Sequence, residues 1–115
     1  RSTSHGAGTS YSVSKGGVIA LTTSMAVEHG RDNVRVNCIA PGHIYTPMVA
    51  GDISDDMRDL RRRAAPLGLE GTAWDVAWAA VFLSSDEARW VSGVVLPVDG
   101  GLLATTPLAM LPHLR

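Results

Sequence analysis

The chain has 115 residues, 45% of them hydrophobic, enough for one compact domain or part of one and too few for two. Ten basic residues against eleven acidic ones leave a formal charge of -1, so no strong field recruits nucleic acid or an anionic membrane. A single cysteine, Cys38, excludes an internal disulfide and a multi-cysteine metal site and suits a reducing cytoplasm, and the apolar runs fall short of the roughly 20 residues that span a bilayer.

In chain order, the Ser/Thr/Gly-rich start, Ser2 to Ser10, has neither an initiator methionine nor the apolar block of a signal peptide, and reads as a loop entered mid-protein. Residues 10–30 are predicted as one long helix, with Val18, Leu21, Thr22 and Met25 along a face and Gly30 as its stop. Residues 34–40, Val34 to Ala40, read as a buried strand ended by Pro41-Gly42. Residues 43–66 read as an irregular lid or connecting segment holding a short charged helix, with Met48, Val49, Ile53, Met57 and Leu60 turned inwards. Thr72 can cap a further helix over 72–84, whose positions Ala73, Val76, Ala77, Ala80, Val81 and Leu83 make a wide apolar face. Trp74, Trp78 and Trp90 are expected as core or interface anchors. Residues 93–99 read as a second strand, Gly100-Gly101 as a turn, and Leu102 to Arg115 as a tail with no assigned structure.

Helix, strand, loop, helix, strand is the order of an α/β protein with a parallel sheet. Two strands leave edges unpaired and helix faces uncovered, so these residues are expected to form an incomplete sheet, its partner strands coming from sequence outside them or from another chain.

The chemistry concentrates in Tyr11-Ser12-Val13-Ser14-Lys15. Residues four apart share a helix face, so the Lys15 ammonium can approach the Tyr11 phenol. A phenol ordinarily ionises near pH 10, and a neighbouring cation favours its charged form, bringing it closer to use as an acid and base at neutral pH. Taken by the spacing alone, a surface pair one turn apart is the alternative.

Together, Tyr11 to Lys15, then Asn33-Val-Arg-Val-Asn37-Cys-Ile-Ala-Pro41-Gly42-His-Ile44-Tyr-Thr46-Pro-Met48, and Val98-Asp99-Gly100-Gly101 resemble the short-chain dehydrogenase/reductase family, in its order and approximate spacing from Tyr11 to Gly101. Ala65-Pro66-Leu67-Gly68, Ala79 to Asp86 and Val91-Ser92-Gly93 resemble it as well. The resemblance implies the C-terminal portion of a Rossmann-type doubly wound parallel sheet, with two strands, two main helices and the substrate loop. It implies an oxidoreductase that moves a hydride between NAD or NADP and a carbonyl or secondary alcohol, with Tyr11 as general acid/base. Lys15 would lower the Tyr11 pKa and hydrogen-bond the nicotinamide ribose. Pro41 and Gly42 would bring backbone against the nicotinamide, with Ile44 offering its amide and Thr46 its hydroxyl. A small carbonyl or alcohol substrate, a homodimer or homotetramer of the complete protein, and a cytoplasmic location are further implied, with no nucleic-acid or membrane partner.

The sequence departs from the family's pattern in three ways. The glycine-rich phosphate loop, the Asn-Ala-Gly segment and the helix asparagine are missing. The serine that polarises substrate would fall before Arg1, with Ser2 and then Ser4 as substitutes in a shortened loop. Gly6-Ala7-Gly8 makes that loop compact. The 115-residue chain alone is therefore expected to be inactive, and a truncated or degenerate non-catalytic scaffold that cannot bind cofactor alone is the second reading. The four histidines show no metal-ligand spacing, and only His43 lies in the loop flanking the expected nicotinamide.

Overall fold

A computed structural model describes residues 5–114, with side chains from residue 9 onward. Helix α1 (His5–His29) leads through a 3-10 turn to strand β1 (Cys38–Pro41), then come α2 (Pro47–Ala50), α3 (Asp55–Ala64), α4 (Ala73–Ser84), strand β2 (Val95–Val98) and α5 (Pro107–Leu114). The two strands pair into one sheet. They run parallel: the Cys38 amide donates to the Val94 carbonyl and, four residues on in both strands, the Gly42 amide to that of Val98, each at 2.9 Å. No helix among the described residues is long and apolar enough to cross a membrane.

The chain divides into two compact units, one ending at Cys38 and including Asp86–Val95, the other made of Ile39–Ser85 and the residues from Leu96 onward. In the first unit α1 starts at His5 rather than Ser10, since an established helix gains a hydrogen bond for each residue added to its end. Its covered face runs through Thr22, Met25, Ala26 and His29, displaced from the predicted one: Val18 and Leu21 are exposed. Buried Thr22 returns its hydroxyl to the Val18 carbonyl at 2.8 Å. The strand is shorter than residues 34–40 because side chains take over its first half. Asn37 donates from Nδ2 to the Val91 carbonyl at 2.9 Å and accepts the Val94 amide on Oδ1 at 3.1 Å, while the Val36 amide donates to Ser92 Oγ at 3.2 Å.

In the second unit the expected irregular loop contains two helices. Ser54 caps α3 by accepting the Met57 amide at 3.1 Å, Asp55 and Asp56 occupy its first turn and Arg61 to Arg63 its last, matching charge to the helix dipole at both ends. At the start of α4 the Asp75 carboxylate accepts both the amide and the hydroxyl of Thr72, at 2.7 and 3.0 Å. The tail is also structured: α5 packs on α3, burying Met110, and the Arg63 guanidinium donates to the His113 carbonyl at 3.0 Å.

The turn after β2 explains Asp99-Gly100-Gly101. The Asp99 carboxylate accepts the amides of Gly101 and Leu103, each at 2.9 Å, and Gly100 and Gly101 adopt φ of 64° and 90°, where a side chain is strained. Asp99→Ala should leave both amides short of a partner and lower unfolding stability by about 1–2 kcal/mol. A chemical denaturation midpoint unchanged from the parent would contradict this role.

Several inward assignments are corrected. Met48 is 86% exposed and Met57 is also exposed, whereas Val49, Ile53 and Leu60 are half-buried. Ala73 and Val81 lie on the exposed side of α4, and its one buried side chain is Leu83. Trp74, Trp78 and Trp90 are exposed, the last at 92%, so none anchors a core within this chain. Among the described residues few are fully buried, and large apolar side chains on α1 and α4 face outward.

Candidate active site

The first unit holds the phenol and the ammonium. One turn of α1 separates Tyr11 from Lys15, and the Lys15 Nζ lies over the Tyr11 ring, 5.1 Å from its centroid. The pair is brought together as the four-residue spacing requires, with the cation against the ring face, an attraction in its own right. Tyr11 is 64% exposed, so its hydroxyl is open to a proton donor or acceptor. Ser14 donates its hydroxyl to the Tyr11 carbonyl at 2.7 Å and is spent within the helix. Ser2 and Ser4, the substitutes for the substrate-polarising serine, lie outside the described residues.

The second unit holds Pro41, Gly42, Ile44 and Thr46. Pro41 is the last residue of β1 and Gly42 extends the pairing by one hydrogen bond. The need for glycine at 42 comes from the residue after β2: a Cβ there would meet Asp99 Cβ at 2.6 Å and Asp99 Cα at 2.7 Å. Ile44 forms an isolated parallel bridge with Gly71, made through the Tyr45 amide on the Gly71 carbonyl at 3.2 Å rather than through the Ile44 amide. Thr46 is the N-cap of α2, its carbonyl accepting the Val49 and Ala50 amides at 2.9 Å while its hydroxyl makes no capping bond.

Beside these residues an open cavity of about 500 Å³ is lined by His43, Ile44, Arg61, Glu70, Asp75 and Asp99 among others. At its wall the Arg58 guanidinium grips Glu70 with both arms, Nε to Oε2 at 2.6 Å and a terminal nitrogen to Oε1 at 2.7 Å, and stacks on the Tyr45 ring 3.6 Å from its centroid. The hydrogen bond from Arg58 holds the Glu70 carboxyl below its ordinary value of 4.5, although desolvation opposes it. Between the lowered folded value and 4.5 the unfolded chain binds more protons than the folded one. The Glu70 contribution is therefore present above that ordinary value and lost as pH falls through the folded one. A thermal melt series should show Glu70→Gln flattening this acid limb; an unchanged pH profile would contradict the linkage.

This clamp escaped sequence reading because Arg58 and Glu70 are twelve residues apart, with no helical or strand periodicity linking them. Asp99 and Asn37 were visible as members of motifs, but their hydrogen-bonding duties depend on neighbours brought in by folding.

Comparison with known proteins agrees with the motif series. Residues 2–103 match the family described as enoyl-(acyl carrier protein) reductase. The chain is 43% identical over 94 residues to the 3-oxoacyl-[acyl-carrier-protein] reductase FabG of Chlamydia muridarum, covering 82% of this chain and 38% of that protein. Among solved structures it is similar to a Burkholderia thailandensis oxidoreductase of the short-chain dehydrogenase/reductase family (TM-score 0.82, 42% identity, 91% of this chain and 42% of that one). It is also similar to an Agrobacterium tumefaciens protein described as a 2-deoxy-d-gluconate 3-dehydrogenase with bound NADP (TM-score 0.77, 42% identity, 84% of this chain and 39% of that one). The chain thus spans about two-fifths of the length of the relatives it matches. With its parallel strand pair, its helices and its Rossmann-type neighbours, it belongs to the short-chain dehydrogenase/reductase family and corresponds to the C-terminal part of that pattern.

Proposed function

We propose that the chain serves a nicotinamide-dependent oxidoreductase acting on a carbonyl or secondary alcohol, and that Tyr11 moves the proton. The observation that carries this reading is the exposed phenol with an ammonium 5.1 Å from its ring centre, set in the family's own motif. In reduction Tyr11 gives its hydroxyl proton to the carbonyl oxygen, and in oxidation it takes one from the alcohol. Lys15 donates a hydrogen bond to the nicotinamide ribose. Pro41 and Gly42 present backbone, Ile44 an amide that the Gly71 bridge leaves unused, and Thr46 a hydroxyl that its cap leaves unused. These groups fit the nicotinamide end of NAD or NADP, which when bound supplies or accepts the hydride; NADP is bound by the Agrobacterium neighbour.

The proposal treats 1–115 as part of one Rossmann-type domain, with 10–30 as the catalytic helix and 43–66 as the substrate loop. It places the complete protein in the cytoplasm as a homodimer or homotetramer, which would cover exposed Val13, Val18, Leu21 and Val27 of α1. The second reading for these 115 residues taken alone is a scaffold without catalysis. Fluorescence titration with NADH and NADPH separates the two. A longer polypeptide carrying an upstream glycine-rich turn should bind dinucleotide and consume it with a carbonyl substrate, while the 115-residue chain should not. Absence of binding by the longer form would leave the scaffold reading.

A further inference from the structure

Helix α3 carries four arginines, and three are committed to the fold. Arg58 holds Glu70. Arg62 bonds Asp59 and, at 2.7 Å, the Gly68 carbonyl. Arg63 bonds Asp59 and the His113 carbonyl. Arg61 is half-buried at the wall of the 500 Å³ cavity, and among the described residues it has no hydrogen-bonded or ion-paired partner. The acidic groups of the same cavity are each engaged elsewhere: Glu70 by both arms of Arg58, Asp75 by the amide and hydroxyl of Thr72, and Asp99 by the amides of Gly101 and Leu103. Arg61 lends its charge to Glu70 only at a distance.

A half-buried arginine without an anion of its own is a preformed receptor for a planar carboxylate, whose two oxygens match its fork. The three structural carboxylates around it disfavour a dianion, so a monoanion fits better than phosphate. Leu67 and Leu69 give the cavity an apolar wall for a carbon chain, and the His43 ring offers a polar group for a hydroxyl or carbonyl.

We propose that this cavity binds a small oxo or hydroxy acid through an Arg61–carboxylate pair, which makes Arg61 the residue that selects acidic substrates. The assignment of the acid as substrate rests on the oxidoreductase reading; the binding itself does not. The test is an NMR titration of the 115-residue chain with lactate, with lactamide as its uncharged counterpart, and with inorganic phosphate. Lactate should shift the amide resonances of Ile44, Gly71 and Gly100, and lactamide should bind about tenfold or more weakly for loss of the charge-assisted pair. Arg61→Gln should reduce lactate to the level of lactamide, and Arg61→Lys should restore part of the difference. Equal binding of lactate and lactamide, tighter binding of phosphate, no shift with lactate, or an unaltered Arg61→Gln would each overturn the proposal. In a longer, active polypeptide containing this chain, turnover that does not respond to Tyr11→Phe, while the 115-residue chain still binds lactate through Arg61, would defeat the oxidoreductase reading alone.

Discussion

Gly42→Ala should destabilise the protein by about 3 kcal/mol or more, the upper range for forcing an extra methyl into packed structure. The new carbon would stand 2.6 Å from Asp99 Cβ and 2.7 Å from Asp99 Cα, distances that no side-chain rotation relieves because one obstacle is backbone. Relief requires the end of β1 to move away from β2, which costs the Gly42–Val98 hydrogen bond at 2.9 Å and disturbs the turn that the Asp99 carboxylate organises. Gly16→Ala is the matched comparison. Nothing lies within 4 Å of its would-be Cβ, and it sits inside α1, so alanine there should add about 0.5–1 kcal/mol through helix propensity. Denaturant unfolding of both variants measures the contrast. Similar midpoints for the two would mean that the close approach of Gly42 to Asp99 is not a constraint in solution.

Tyr11→Phe, in an active polypeptide containing this chain, should lower turnover by about 10²–10⁴-fold, the range for loss of a positioned general acid/base. The substitution removes one oxygen from a largely exposed side chain, so stability should hardly change, and the ring remains for the Lys15 ammonium to lie against. Dinucleotide affinity should be largely preserved, because of the groups assigned to the cofactor, Tyr11, Lys15, Pro41, Gly42, Ile44 and Thr46, the substitution removes only the Tyr11 hydroxyl. Paired measurements of kcat and of NADH or NADPH binding therefore separate a proton-transfer role from a packing role. Turnover close to that of the parent would remove Tyr11 from the chemistry.

Local features were legible where the determinant is itself local. The four-residue step from Tyr11 to Lys15 places both on one side of a helix whatever surrounds it. Thr72 with Asp75 three residues later marks the start of α4 through contacts made within one turn. The charged helix inside the 43–66 segment has its own cap in Ser54 and complementary charge at both ends. Legibility fails where a residue's surroundings come from distant sequence. Val18, Leu21, Trp74, Trp78 and Val81 look like buried-face residues by period and composition, yet they are exposed, because period fixes which residues share a face and not whether anything covers it.

By itself, the sequence determined the α/β order, the family motif series, and the pairing of a phenol with an ammonium, since all of these depend on backbone period and residue chemistry over a few turns. The tertiary structure alone decided why position 42 must be glycine, which of four neighbouring arginines lines a cavity without a bonded partner among the described residues, and what the Asp99 carboxylate holds. Each of those is set by the distance between segments far apart in the chain, a quantity that only folding fixes.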